Sequence, residues 1–401
     1  MEILPILASL RRHRIPALLI VLEIALACAV LCNAVFMISQ RNAGIHMANG
    51  IAEQNISVIT LNGADPSRAA SDIPRNLAAL RGIAGVEAAA VVTSMPLDIN
   101  AALNGFTSVP NGKSEVNSSE YFLGSGAEQA LGLHLLQGRY FNADEYADSD
   151  IQSFYSTAHV ALITRSDAQR LWPGQSPLGR QLYSNDTAWT VVGVVDNVLA
   201  QEPGFGSGSG RYSSVFFPLR PRVELNDYVL RSAPQDRDRI VRKAVQVLGD
   251  LEPGAVVEGQ TYASMREAYF ANNRSMVWML LLVCMVMLAV TAFGIVGLTS
   301  FWVGQRRKQI GIRRAVGASY GHIMHYFQTE NFLLTTAGVL LGVVLAFGIN
   351  MYLMRHYEVD RMPWYYLSIG AITLWGLGQL AVLGPALRAA AVPPVVATRS
   401  V

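Results

Sequence analysis

The sequence predicts a membrane protein: an α-helical four-span transmembrane domain carrying a large α+β extracytoplasmic domain. The latter reads as a ferredoxin-like split βαβ subdomain plus a β-rich insert. Three observations carry this. Four apolar runs, 15–40, 275–305, 325–354 and 364–387, are long enough to cross a bilayer. One polar stretch, 41–274, separates the first run from the second. The basic clusters Arg11-Arg12-His13-Arg14, Arg306-Arg307-Lys308 with Arg313-Arg314, and Arg388 with Arg399 all fall on the same side of those runs.

Composition agrees. Of 401 residues, 51% are hydrophobic and only 15% charged, where a soluble chain carries about a quarter. The net charge of +2 gives no reason to expect a nucleic-acid partner. Cys28, Cys32 and Cys284 all lie in apolar runs, so the polar stretch can form no internal disulfide. Cys28 and Cys32, four apart on a helix, read as small packing residues rather than a redox pair.

The chain in order begins with a cytoplasmic segment, 1–14, and a first span at 15–40 that is uncharged except for Glu23. The run is too long for a signal-peptide core and reads as a retained anchor. An ionisable residue inside a span is a functional candidate, and Glu23 is noted as one; the plainer reading is a neutral or hydrogen-bonded group in the cytoplasmic third.

The polar domain opens strand–helix–strand: Asn55 to Leu61, a helix from Ser71-Asp72-Ile73-Pro74 to Arg81 ended by Gly82 and Gly85, and Val86 to Thr93. It closes the same way, with Tyr228 to Arg231, a helix from Pro234 to Gly249, and Ala255 to Glu258. Two such units suit a split α+β subdomain. Between them lies the insert, about 121–211, whose clearest strand is the β-branched run Trp189 to Val198. The Gly/Ser stretch from Pro203 to Ser214 leads into a strand, not a helix, so it is a surface loop rather than a phosphate cradle.

The uncharged run 275–305 would be about 46 Å long as a helix, at about 1.5 Å per residue. That exceeds the apolar core of a bilayer, about 30 Å, so part of it should project as a stalk. The third span, 325–354, carries Gly338, Gly342 and Ala346 at four-residue spacing, a seam that admits a second helix. The short outer loop 355–363 is charge-balanced, and Trp364, Tyr365 and Tyr366 form an interfacial aromatic belt before the fourth span, 364–387. A cytoplasmic tail, 388–401, follows.

The cytoplasmic loop 306–324 is the most informative stretch. It holds five basic residues, and no Asp or Glu occurs between Phe301 and Thr329. It reads as a short amphipathic helix with Ile312, Ala315 and Val316 on one face and Arg313, Arg314 and Gly317 on the other; Ile310 falls on the charged side. Gly317 supplies the stop.

Enzymatic signatures are missing. The histidines (His13, His46, His134, His159, His322, His325 and His356) form no HExxH and pair with no cysteine. There is no GxSxG elbow. Asp144 to Asp150 lacks calcium-loop spacing. Gly112-Lys113-Ser114 has Thr107 where a Walker A motif needs glycine, so no ATPase site is expected here.

The run from Arg307 to Ser319 (RKQIGIRRAVGAS) resembles the cytoplasmic loop of MacB/FtsX-like ABC transporter permeases, with Gln309 where that family usually has Glu. Leu131 to Phe141, the stretch ending Leu171-Trp172-Pro173-Gly174 with Pro177-Leu178-Gly179, and Val191 to Val198 are similar in order to that family's periplasmic core. Gly384 to Arg399 is similar to its terminal motif, with Pro393 where Asp is common. The resemblance implies a permease subunit without a fused ATPase, in the inner membrane of a bacterium, with both termini cytoplasmic and the core domain periplasmic. It implies a coupling helix formed by Arg306, Arg307, Lys308, Gln309, Ile310, Gly311, Ile312, Arg313, Arg314, Ala315, Val316, Gly317 and Ala318 that meets a separate ATPase subunit. ATP and Mg would be bound by that partner and no cofactor by this chain. Dimerisation with itself or a paralogous permease, contact with membrane lipids, and a periplasmic adaptor with an outer-membrane duct belong to the same expectation. So does mechanotransmission-type export of a substrate. The rival reading is an FtsX-type signalling or scaffold protein acting on an extracytoplasmic partner; a membrane enzyme is a third, unsupported by any acid/base pair.

Overall fold

The computed structural model describes residues 14–98, 102–148, 158–203, 210–220, 227–357 and 361–391. The expected N-terminal basic cluster up to His13, most of the Gly/Ser loop, Ser149 and Asp150, and the tail beyond Ala391 lie outside the described residues. The described helices in chain order are α1 (Arg14–Ile45), α2 (Ala69–Arg81), α3 (Ala127–Leu131), α4 (Arg165–Leu171), α5 (Arg237–Leu251), α6 (Tyr262–Gln305), α7 (Arg307–Ala315), α8 (Tyr320–Tyr357) and α9 (Trp364–Ala390). The strands are β1 (Ile56–Asn62), β2 (Val86–Val92), β3 (Leu103–Phe106), β4 (Val116–Leu123), β5 (Leu135–Gly138), β6 (Ala147–Asp148), β7 (Val160–Thr164), β8 (Gln181–Ser184), β9 (Thr187–Val195), β10 (Ser214–Arg220), β11 (Asp227–Ser232) and β12 (Val256–Thr261). The chain divides into two units, His46–Asn272 and the remainder.

In the first unit, β1-α2-β2 and β11-α5-β12 interleave. The strand order β12-β1-β11-β2 is antiparallel throughout, the split βαβ arrangement. Ile59 faces Tyr228 and Val58 faces Val229 across β1 and β11. One face of this sheet is closed by Ile73 and Leu80 of α2 and by Ile240, Ala244 and Leu248 of α5, all buried. In α5 that is the i, i+4, i+8 spacing an amphipathic helix needs to cover a sheet. Gly259 lets α5 sit close: a Cβ there would meet Val245 at 2.6 Å. The helix α2 starts at Ala69, earlier than its capping signal, because a 3₁₀ turn at Pro66–Arg68 leads into it. Pro74 therefore lies inside the helix, not in its first turn.

The insert continues the same sheet as β4-β10-β7-β9-β5, joined to the split unit through Val92 and Leu123. It is wider than 121–211: β3, the start of β4 and all of β10 belong to it. These strands escape sequence reading because β4 (VNSSEYFL) is polar yet buried along most of its length. Parallel pairs β4–β10 and β7–β9 are buried on both faces, as parallel strands are. Trp189, Phe106 and Phe217 form its centre, with ring centroids 5.1 Å (Trp189–Phe217) and 6.0 Å (Phe106–Trp189) apart. Gly138 of the LGLxLxxGR stretch has φ 79°, and a Cβ there would lie 2.3 Å from the Val192 carbonyl oxygen, so only glycine serves.

In the second unit, α1, α6, α8 and α9 are each long and apolar enough to cross a membrane. The seam expected on the third span faces α1. Added Cβ atoms would lie 2.7 Å from Ile24 Cβ at Gly338 and 2.4 Å from Cys28 Cβ at Gly342. Ala346 is buried, and its carbonyl accepts from Asn33 Nδ2 at 3.2 Å. Cys28 and Cys32 are reduced and buried between helices, with Sγ atoms 4.0 Å apart and Cys32 against Gly370 of α9; Cys284 is also free. Tyr366 bonds Ser39 Oγ at 2.7 Å, tying α9 to α1. Glu23 is half-buried, its carboxylate lying against the backbone of Gly294 on α6, where a Cβ would come within 2.6 Å of Oε2. The helix α6 begins at Tyr262 rather than 275, because the charged turns Tyr262–Arg274 still bury Tyr262 and Phe270.

Candidate functional site

The site is the turn of chain between α6 and α8. A single turn residue, Arg306, separates α6 from α7, and the helical hydrogen bonds run through it: Arg306 N–H to the Trp302 carbonyl and Ile310 N–H to the Arg306 carbonyl. The short helix ends as its glycine predicts. Gly317 has φ 102°, and Ala318 N–H reaches the Arg313 carbonyl at 3.0 Å, the long bond of a Schellman stop. Ser319 then caps α8, its Oγ accepting from His322 N–H at 3.3 Å.

The sequence names two faces of α7 without saying which is covered, and the structure sets this. Ile310, placed on the charged side by periodicity alone, is the anchor: it is buried with Ile323 and Phe327 of α8 and Ala386, Ala389 and Ala390 of α9. Gly311 is buried beside it. The face named as apolar points outward, with Ile312 49% and Val316 83% exposed and Ala315 exposed between them. Arg307, Lys308, Gln309, Arg313 and Gly317 are exposed, and Ala318 is half-buried; the Arg314 side chain lies outside what is described. Periodicity finds a two-faced helix but cannot say which face the fold covers.

Arg306, the first residue of the expected coupling segment, has a partner within the chain. It turns inward, and its Nη1 donates to both carboxylate oxygens of Glu330 on α8 at 3.1 Å. The side chains are only 14% and 2% exposed. Its guanidinium also lies 5.7 Å from the Trp302 ring centre. Arg306 therefore links α7 to α8, with little of its side chain left exposed. Arg313 spreads over the Tyr326 ring at 5.2 Å. A cavity of about 230 Å³ lies beneath α7, walled by Arg313, His322, Tyr326 and Phe327 among others.

The polar unit holds several buried carboxylates. Burial pushes Glu120 of β4 up to about 7, partly offset by a hydrogen bond from Asn104, and Asp167 and Asp227 up to about 6 each. Asp167 accepts from Ser118 and Asp227 from Thr60. No group of three or more potential metal ligands occurs among the described residues. Because folding raises these three pKa values, the folded unit holds more protons than the unfolded chain between about pH 4 and 7. Its stability is therefore greatest at the acid end of that window and falls as pH rises through it, by about 3 kcal/mol for Glu120 alone. Hydrogen exchange of β4, corrected for intrinsic rates, should accelerate from pH 5 to pH 8 in the wild type and change less in Glu120→Gln. Equal pH responses would mean that Glu120 does not titrate in this range.

Comparison with known proteins bears on both units. The model of the MacB-like periplasmic core domain matches residues 20–259, and that of the FtsX-like permease C-terminal region matches 272–394. The macrolide export ATP-binding/permease protein MacB of Marinobacter nauticus is 25% identical over 277 residues, 66% of this chain and 41% of that protein. Its counterpart in Chromobacterium violaceum is 24% identical over 291 residues, 70% and 43% of the two. This chain thus spans less than half the length of these relatives. The periplasmic region of MacB from Actinobacillus actinomycetemcomitans aligns with 56% of this chain and 97% of its own, at 16% identity and a TM-score of 0.37. With one family model covering more than half of the sequence and a second covering three of the four long apolar helices, the chain belongs to the ABC transporter permeases that join a MacB-like periplasmic core domain to an FtsX-like permease domain.

Proposed function

We propose that this chain is the membrane-spanning half of an ABC system, driven by a separate ATPase subunit that docks on the outward face of α7. The observation that carries the reading is the pairing of an anchored inner face with a bare outer one. Ile310 and the Arg306–Glu330 pair fix α7 to its neighbours, while Ile312, Ala315 and Val316 expose apolar surface flanked by cations. Exposed apolar groups rimmed by charge are what a protein partner covers. The chain itself is non-catalytic in this reading, with ATP and Mg handled by the partner. Closure of two ATPases on a dimer of permeases would be delivered through α6 to the periplasmic domain, and export of a substrate is the expected outcome. Both termini and α7 lie on the cytoplasmic side of a bacterial inner membrane in this scheme; an adaptor and an outer-membrane duct would complete the path.

The test is co-purification from native membranes. An ATPase should accompany the wild type and be lost from Ile312→Glu/Val316→Glu, two exposed sites where charge leaves the fold intact. Retention of the ATPase by the double variant would move the docking surface elsewhere. If no ATPase accompanies either protein, the scaffold reading, with its partner on the outer side, takes precedence.

A further inference from the structure

The cavity beneath α7 is lined by the inner side of the helix, not the side proposed to meet the ATPase. Its volume is about 230 Å³, and its walls carry two arginines and a histidine but no Asp or Glu. Arg306 is already neutralised by Glu330. Arg313 makes no ion pair among the described residues, and its guanidinium lies over the Tyr326 ring, 5.2 Å from the ring centre, a cation–π contact that restrains it. His322 engages Ser319 Oγ through Nδ1 at 2.8 Å, leaving Nε2 as the nitrogen with a free bonding position. Gln309 adds an amide to the wall, and Ile310, Ile323 and Phe327 from the buried cluster below add an apolar floor.

We infer that this cavity binds the phosphate headgroup of an anionic phospholipid. A positioned guanidinium and an imidazole donor make a phosphate site. The uncompensated positive charge favours a net anion over a zwitterion. The lipid source, rather than free phosphate, follows from position. The cavity is walled by the first turns of α8, and the same helix runs directly into its apolar membrane span, where Leu333, Ala337 and Leu341 continue the face of His322 and Tyr326 and Leu341 is 39% exposed. A headgroup held at Arg313 thus has an apolar lane for its acyl chains. The lipid would sit behind α7 while the opposite face meets its partner.

Native mass spectrometry of the full chain, purified without any ATPase, tests this directly. Phosphatidylglycerol and phosphatidylcholine are offered at equal concentration, with inorganic phosphate in a separate arm. The wild type should retain phosphatidylglycerol preferentially, and Arg313→Ala should lose about tenfold in affinity, the worth of a charge-assisted hydrogen bond. His322→Ala, at an exposed position, gives the same reading should Arg313→Ala fail to fold. Equal retention by wild type and variants, or equal binding of phosphatidylcholine, overturns the proposal. Displacement of the lipid by inorganic phosphate at matching concentration overturns the lipid assignment, leaving a soluble-anion site. Because no ATPase is present, the result stands apart from the docking test.

Discussion

Gly342→Leu should leave no folded helix bundle after detergent extraction. Even a methyl group at Gly342 would lie 2.4 Å from Cys28 Cβ and 2.8 Å from the Ala25 carbonyl oxygen. Both obstacles sit on or next to the α1 backbone, so no side-chain rotation relieves them. Gly342→Ala forces the helices apart and should cost about 1–3 kcal/mol, the usual range for overpacking. A leucine adds three more carbons along the same line and exceeds that. Gly348 supplies the control on the same helix, since a Cβ there meets nothing within 4 Å. Thermal melts in detergent should rank wild type and Gly348→Ala together, Gly342→Ala below them, and Gly342→Leu without a transition. A Gly342→Leu protein that melts with the wild type would mean that α1 and α8 do not approach at this seam.

The second large effect is expected at Glu330. Removing its charge in Glu330→Gln takes the opposing carboxylate from the Arg306 guanidinium in a site where the pair is almost wholly enclosed. Breaking one side of a buried ion pair costs about 3–5 kcal/mol, because the survivor keeps its desolvation penalty without its partner. Replacing both residues by methionine removes charge and penalty together and should recover most of the stability. The diagnostic is the order of melting temperatures: Glu330→Gln lowest, the double methionine variant near wild type. If the single variant is harmless, water reaches Arg306 and the pair is only a surface contact. The same variants separate two roles for Arg306. A loss of ATPase association in the double methionine variant, with α7 still folded, would return it to the docking surface.

These two sites also mark what sequence reading can reach. The seam Gly338, Gly342 and Ala346 is legible because close helix packing needs small residues at a fixed spacing on one chain segment. The Arg306–Glu330 pair is not, since one partner lies in the turn after α6 and the other on α8, and only the turn through Gly317 brings them together. The split βαβ unit is legible for a similar reason: each strand and helix carries its own period, and Gly82 and Gly85 punctuate it. The strands β3, β4 and β10 fail that test. Ser118, Ser119 and Glu120 are buried in the middle of a sheet, where alternation predicts apolar residues. Their polar atoms are satisfied by partners far along the chain, such as Asp167 for Ser118. Ile310 shows the same limit on a smaller scale. Amphipathicity is a property of one helix, but burial is decided by what α8 and α9 present to it.

The placement of sulfur has a practical side. All three thiols are buried among the membrane helices, and the unit His46–Asn272 contains none. Its maturation thus owes nothing to the thiol–disulfide exchange machinery of an oxidising compartment. Its folding should be indifferent to reductant in the medium. It is also a ready-made blank for chemistry: one cysteine introduced on its surface would be the sole accessible target for a maleimide probe, and motions of this unit could be followed without first stripping the native chain of its sulfur.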